Sequence, residues 1–539
     1  MQVEFVLLVL SLLFFASIFT DRIGYRFGVP ALMVFLIVGM LFGQGGLGVL
    51  IGGEQDYGLT INAAQAIGTI ALCVILFTGG LDTKVSDIQP VIAPGITLAT
   101  VGVFLTCVIT GLLAWVVFGW IHGVLTLSVW SALLMAATMS STDSASVFSI
   151  LRTNNVKLKH NLRPLLELES GANDPMAYIL TITLITIVTS PTTDLDALDI
   201  FRNILIQLVM GAVIGFIFGK VVIWLLNKGA LSNESLYPVM VLTACIFIFS
   251  VTYYLQGNPY LAVYMGGLII GNSRFYRKRQ TKAFFDGLTW LSQLVMFLML
   301  GLMANVKDLL DWKVWTFSLI VSLIMTFVAR PLSVWLCLLP FKQFKQNDRI
   351  FVSWVGLKGA VPIIFAILCE AAEVPQSDLL FNVVFACTLI SLLIQGTTLG
   401  SVASKLKLVT PQTPEHKLRY FDIDLPDEIQ SSSWEKVVDE KLLSKGNKLK
   451  DLTIQPHTLV IMVKRDDTFF VPTGETELKL GDQLLVISDN NAQKAVQDME
   501  EEEAEILTHW WMDLVAHTGN FMKVRWRKLV ENGRKKKIQ

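Results

Sequence analysis

Long apolar runs separated by short polar loops fill roughly the first 400 residues, and the pattern then changes. A bilayer span takes roughly 20 apolar residues, about 17 to 25 in practice. By that measure thirteen segments stand out, near 3–20, 29–50, 62–81, 91–118, 126–151, 164–190, 203–227, 236–255, 259–273, 284–304, 314–339, 350–372 and 379–403. The ninth is short, and the second and fifth are rich in Gly or polar residues. From Pro411 onward the runs shorten. Thr458 to Lys464, Phe469 to Pro472 and Gln483 to Ser488 are rich in β-formers and are separated by Asp466-Asp467, Gly474 and Gly481-Asp482, which predicts a small strand-containing domain. After Asn490 the pattern turns helical, with acids at Glu500 to Glu503 and a basic end at Arg534 to Lys537. The chain thus divides into a membrane domain over 1–404, a cytoplasmic α/β module over 411–491 and a charged helical tail over 492–539. The tail's charges suit a solvated surface or contact with anionic lipid.

The loops fix an expected orientation. Odd-numbered loops carry sixteen Lys and Arg residues, including Arg152, Lys157, Lys159 and Arg163 in one and Arg274, Arg277, Lys278, Arg279 and Lys282 in another. Even-numbered loops carry three, Arg202, Lys307 and Lys313. That asymmetry places the N-terminus outside and everything after about residue 404 in the cytoplasm. The apolar stretch from Phe5 to Phe19 has no basic residues before it, so it reads as a retained first span and not a cleaved signal.

Composition agrees with this picture. Of 539 residues, 53% are hydrophobic and only 16% charged, too apolar a balance for a soluble globule. The six cysteines all lie in apolar segments without CxxC spacing and read as small core residues, so no thiolate metal site is expected. No enzyme and no cofactor are expected either, and a net charge of −1 carries no signal of a nucleic-acid partner.

Against this background a few buried charges stand out, because ionisable groups in hydrocarbon usually mark an ion or proton path. The sixth segment contains Glu167-Leu168-Glu169-Ser170-Gly171-Ala172-Asn173-Asp174-Pro175. At 1.5 Å per residue, Asp174 lies roughly 16 Å from the basic flank at Arg163, Asp143 and Lys358 roughly 14 Å from theirs, and Arg330 roughly 18 Å. In a core about 30 Å thick, all four sit near the midplane. The fifth segment reads Met139-Ser140-Ser141-Thr142-Asp143-Ser144, and its hydroxyls compete with helix hydrogen bonds. The twelfth reads Gly356-Leu357-Lys358-Gly359-Ala360-Val361-Pro362, whose glycines and proline interrupt a helix as well. Broken helices at matching places in two halves predict an inverted-repeat secondary transporter. The repeats would be segments one to six and eight to thirteen, with the seventh as linker.

Ser170 and Asp174 are four residues apart, and so are Glu169 and Asn173, so one helix would present hydroxyl, carboxylate and amide oxygens together. Oxygen ligands suit a hard monovalent cation, and a carboxylate in an apolar site also binds a proton readily. A proton and a cation would then compete for Asp174. Arg330 cannot lose its charge and needs an anion, for which Glu169 is the best candidate, making a structural ion pair. Blander readings stand beside each of these. Asp143 could simply cap a half-helix, Asp174 could pair with Lys358, Ser170 could serve packing, Asn173 could only orient its neighbour, and Gly356 and Gly359 could serve close approach. Glu167 reads as a solvated mouth residue.

Together, Thr142-Asp143, Glu169-Ser170 with Asn173-Asp174, and Gly356-Leu357-Lys358-Gly359-Ala360 resemble the motifs of the monovalent cation:proton antiporter superfamily, in its NhaP-type branch. The resemblance implies a bacterial inner-membrane homodimer with elevator-like alternating access and electroneutral exchange. It also implies direct ligand roles for Ser170 and Asp174, a backbone ligand near Thr142, and Asp143 near the cation. Ser144 stands where the family usually has proline, Lys358 where it usually has arginine, and Phe77-Thr78-Gly79-Gly80-Leu81-Asp82 lacks the glutamate of some sodium-selective members, which leaves cation selectivity open. The module with Val471-Pro472-Thr473-Gly474 and Leu480-Gly481-Asp482 resembles the C-terminal half of RCK regulators of potassium transport. That implies a small regulatory ligand, of nucleotide type, and favours potassium. Rival functions are a proton-coupled symporter whose Lys358 and Arg330 bind an organic anion and a gated potassium channel, for which no TVGYG-like filter is present.

Overall fold

The apolar runs fold as helices, and the polar interruptions fall where the helices break. The computed structural model describes residues 4, 8, 11–19, 31–43, 61–120, 127–153, 156, 158–189, 197–229, 233–304, 309, 311–410, 433–438, 442–451, 458–466 and 468–488. The charged tail lies outside them. The chain forms two units, Met1–Gln412 and Thr413–Gln539.

In the first unit α1 covers 11–19, followed by α2 (Ala31–Phe42), α3 (Ile61–Asp82), α4 (Val85–Gly119), α5 (Val129–Thr138), α6 (Ser144–Thr153), α7 (Leu162–Thr189) and α8 (Ala197–Lys228). Then come α9 (Leu236–Tyr254), α10 (Pro259–Gly271), α11 (Lys278–Met303), α12 (Trp312–Leu338), α13 (Gln346–Trp354), α14 (Val361–Ala371) and α15 (Ser377–Lys405). Among the described residues eight helices are long and apolar enough to cross a membrane, and shorter apolar helices such as α10 and α14 accompany them. The fifth and twelfth expected segments are each split in two, as α5/α6 and α13/α14. The helix expected at 284–304 starts earlier, at Lys278, because its first turns are charged and project beyond the apolar window by which the segment was recognised.

The packing repeats with the segment order. Segments two and ten (α2 and α11) pack together, and so do segments nine and three (α10 and α3). Exchanging two for nine and three for ten turns one pair into the other. Both pairs approach at glycines: a Cβ at Gly39 would lie 2.8 Å from the Gly301 Cα, and one at Gly80 would lie 2.8 Å from the Leu268 nitrogen. Segments four and eleven, the next matched pair, each contain one π-helical turn, Leu98–Gly102 and Met325–Ala329. Such turns open the i→i−4 ladder locally and carry no hydropathy signal, so the sequence pattern gave no sign of them.

In the second unit four strands, β1 (Ser433–Val437), β2 (Thr458–Arg465), β3 (Thr468–Phe470) and β4 (Gln483–Ser488), form an antiparallel sheet in the order β1-β4-β2-β3. Val438, Val460, Val463, Leu478, Leu484 and Val486 form its core. β1 was not foreseen from its short, mixed sequence SWEKV, and it is placed by pairing with β4. Helix in this unit is limited, among the described residues, to the 3-10 turns Leu442–Lys445 and Leu449–Asp451.

Candidate ion-binding site

The two interrupted helices meet break to break. Hydroxyls at the end of α5 bond back onto the chain, Thr138 to the Met135 carbonyl at 2.8 Å and Ser140 to the Ala137 carbonyl at 2.7 Å, and the helix stops. On the other side α13 ends at Trp354, and Pro362, which lacks an N–H, sits in the first turn of α14. Each break supplies partners that the other lacks. The Asp143 N–H donates to the Leu357 carbonyl at 2.9 Å, and the Lys358 ammonium donates to the Ser141 carbonyl at 2.8 Å. The Lys358 N–H donates to the Ser391 hydroxyl at 2.9 Å, which donates in turn to Gln395 at 2.5 Å, and Gln395 returns to the Trp354 carbonyl at 3.1 Å. The Lys358 side chain is thus held against a peptide carbonyl that the α5/α6 break leaves open.

Helix α7 docks on this crossing through the motif residues. Ser170 donates its hydroxyl to the Thr142 carbonyl at 2.6 Å, and the Asn173 amide donates to the Thr142 hydroxyl at 2.6 Å. Asp174, only 6% exposed, lies within electrostatic reach of Asp143, Lys358 and the Ser141 hydroxyl. Two buried acceptors at this junction, Asp174 Oδ1 and Asn173 Oδ1, have no hydrogen-bond donor among the described residues. Buried oxygens are rarely left so. A carboxylate and an amide oxygen beside the hydroxyls and carbonyl of Thr142 and Ser170 form an all-oxygen set that fits a hard monovalent cation as transported substrate.

Asp143 is arranged differently. Its carboxylate accepts the Ser146 N–H at 3.1 Å and also the Ser146 hydroxyl, and so caps α6. A Cβ at Gly359 would run into that same carboxylate, 2.7 Å from its Cγ. Glu169 and Arg330 form a buried ion pair between α7 and α12, with 1% and 3% of each residue exposed. Gly356 lies against this arginine, where a Cβ would stand 3.0 Å from Nε. Glu167, further toward the end of α7, pairs with Arg163 at 2.9 Å and is more exposed. The structure thus brings Thr142, Ser170, Asn173 and Asp174 together, and pairs Glu169 with Arg330 between α7 and α12.

The family model for the transmembrane part of sodium/hydrogen exchangers matches residues 9–405. The chain belongs to the sodium/hydrogen exchanger family. It is 38% identical over 494 residues to the K(+)/H(+) antiporter NhaP of Alkalimonas amylolytica, which covers 90% of this chain and 81% of the relative. It is 36% identical to the K(+)/H(+) antiporter NhaP2 of Shewanella baltica, covering 91% of this chain and 82% of that one. The Na(+)/H(+) antiporter NhaH of Halobacillus aidingensis is more distant, 26% identical across 51% of this chain and 69% of its own length. Among solved structures the sodium proton antiporter MjNhaP1 of Methanocaldococcus jannaschii superposes with a TM-score of 0.63 at 21% identity, covering 75% of this chain and 99% of that one, so the fold is shared. Residues 437–499 match the TrkA-C domain model.

Several residues of this exchanger's site were not read from the sequence. Ser146, Ser391 and Gln395 are ordinary polar residues in apolar helices, and only the fold brings them to the breaks. Asn258-Pro259 did carry a signal, a helix cap followed by proline at the first position. Nothing in its spacing connects it to Asp174, yet its amide reaches the carbonyl of Pro175.

Proposed function

We propose that this exchanger moves a cytoplasmic monovalent cation, K+ in preference to Na+, against H+, with the two competing for Asp174. The observation that carries the reading is the pair of buried acceptors, Asp174 Oδ1 and Asn173 Oδ1, that have no donor among the described residues, placed where Ser170 and Asn173 grip Thr142 at the helix break. Potassium is favoured by the K(+)/H(+) relatives and by the TrkA-C match. Glu169 is ion-paired with Arg330, although its Oε2 has no donor among the described residues, and Asp143 caps α6 through Ser146; we take Asp174 as the exchangeable charge. One cation for one proton, without net charge movement, is the stoichiometry we assign. Lys358 donates to the Ser141 carbonyl and Arg330 is ion-paired with the buried Glu169, which weighs against their binding an organic anion.

The basic-loop asymmetry supports a bacterial inner-membrane protein with its N-terminus outside and the TrkA-C-like module in the cytoplasm. We assign it a homodimeric state and a nucleotide-type regulator at that module. The test is proteoliposomes carrying an internal pH dye, given KCl or NaCl. Wild type is expected to respond to KCl more strongly than to NaCl and to be unaffected when the membrane potential is clamped with valinomycin, and Asp174→Ala to respond to neither salt. An unchanged response in the variant overturns the mechanism.

A further inference from the structure

Helix α10 reaches the Asp174 helix at three levels, and one contact falls on the residue next to Asp174. Asn258, fully buried, opens α10 and uses each of its groups. Its Oδ1 accepts the Leu261 N–H at 3.0 Å and caps the helix, while its own N–H donates to the Gln207 carbonyl of α8 at 2.9 Å. Its side-chain amide donates to the Pro175 carbonyl of α7 at 2.7 Å. One residue, through its backbone and side chain, thus ties three helices together. On either side of this bond the helices fit closely. Tyr260 of α10 meets Tyr178 of α7 edge-on at 4.9 Å, and Tyr264 lies so close to Gly171 that a Cβ there would stand 2.7 Å from the tyrosine Cζ. α10 therefore grips α7 both before and after Asp174.

The cap explains only part of Asn258. Serine or aspartate caps a helix through oxygen alone, so beginning α10 needs no amide donor. The amide is required only for Pro175. Asn272 at the far end of α10 is a useful contrast. Its amide bonds the Thr83 carbonyl at 2.8 Å and its oxygen accepts the Val85 N–H at 2.9 Å. It ties α10 to the α3–α4 junction and, among the described residues, makes no hydrogen bond to α7.

We infer that Asn258 is a positioning residue that latches the Asp174 helix to the α8–α10 wall in this facing of the transporter, and that it releases Pro175 each time Asp174 changes sides. The inference rests on the antiport reading above. Alternating access at a fixed central site requires one bundle to shift against another, and this bond crosses such a boundary beside the exchanging carboxylate. A single hydrogen bond is strong enough to bias two facings and weak enough to break in every cycle.

The experiment compares Asn258→Ser, Asn258→Asp and Asn272→Ser in the full chain, using cation-driven proton flux in proteoliposomes and thermal unfolding in detergent. Both Asn258 variants keep a capping oxygen and lose the amide that donates to Pro175. They are expected to shift the apparent KM for the cation by roughly three- to tenfold, with the maximal rate changed independently, as the loss of one net hydrogen bond from one facing implies. Asn272→Ser is expected to lower the unfolding temperature and leave KM and maximal rate unchanged. Wild-type kinetics in a folded Asn258→Ser or Asn258→Asp protein overturns the latch alone. So does failure of both to fold while Asn272→Ser folds, because Asn258 is then a structural cap. Absence of cation-driven flux in wild type overturns the antiport reading, and the latch with it.

Discussion

The hydroxyl of Ser170 donates to the backbone carbonyl of Thr142 at 2.6 Å, so that α7 satisfies a peptide group which the break between α5 and α6 leaves without a helical partner. Contact and proposed ligand are the same residue. Ser170→Ala removes the donor and leaves a buried carbonyl unsatisfied, at a cost of about 1–3 kcal/mol. It also removes one oxygen from the cation's surroundings. The apparent KM for the cation is expected to rise about tenfold, measured as the salt dependence of proton flux. A variant with a lowered unfolding temperature and an unchanged KM would make Ser170 a packing residue only.

The pair Glu169–Arg330 calls for a different outcome. Removing one partner of a buried ion pair strands the other charge and costs about 3–5 kcal/mol. Glu169→Ala and Arg330→Ala should therefore each express poorly and unfold at lower temperature, and the double replacement by apolar residues of similar volume should recover part of the loss. Thermal unfolding of the purified proteins reads both effects. Normal yield and stability with lost transport in Glu169→Ala would move this residue into the ion site.

Helical rise converts sequence distance into depth and hydropathy marks where the bilayer begins, so a common level for Asp143, Asp174, Arg330 and Lys358 is legible in the sequence. Which charges meet was partly legible as well. Arg330 needed an anion, and Glu169 was the acid left over from the Ser170/Asp174 face. The carbonyl partner of Lys358 was not legible, because a backbone oxygen at a helix break looks like any other in the sequence. The division of labour between Asp143 and Asp174 was not legible either. Capping of α6 by Asp143 depends on where the helix restarts, and Ser144 and Ser146 offer no unique starting point in sequence alone.

In the TrkA-C-like module, Asp482 is the buried member of a bidentate pair with Arg465, at 2.8 and 2.6 Å, and also accepts the Lys479 N–H at 2.8 Å. Burial pushes its carboxyl up, but Arg465 and Lys479 outweigh that and hold it below the usual carboxylate range. A depressed native value means that the stabilisation is fully present above the unfolded carboxylate value of about 3.9 and is lost as pH falls through the native value. Amide exchange in β4 of the intact protein, corrected for intrinsic rates, should therefore stay slow down to about pH 4 and rise below it. Asp482→Asn should raise that exchange more than tenfold at neutral pH, since a hydrogen bond to a charged group contributes about 1.5–3 kcal/mol. Equal protection in wild type and variant would show that the ion pair does not hold the sheet.

Gly356 and Gly359 stand three residues apart in one break, yet a methyl group has different consequences at each. At Gly356 the added Cβ meets the Arg330 side chain at 3.0–3.4 Å, and a long flexible side chain can yield by a few tenths of an ångström. At Gly359 it meets the Asp143 carboxylate, whose Cγ would be 2.7 Å away. That carboxylate cannot retreat, because it is fastened to Ser146 at the start of α6 while the Asp143 N–H is fastened to the Leu357 carbonyl. The two broken helices would have to separate, carrying Thr142 away from Ser170 and Asn173. Gly359→Ala is thus expected to abolish cation-driven proton flux, or reduce it at least a hundredfold, which corresponds to about 2.7 kcal/mol of lost transition-state stabilisation. Gly356→Ala should lose less than tenfold. Flux assays on both, normalised to folded protein by size-exclusion profile, decide the matter, and comparable activity in the two variants would mean that the crossing tolerates a gap that its hydrogen bonds indicate it does not.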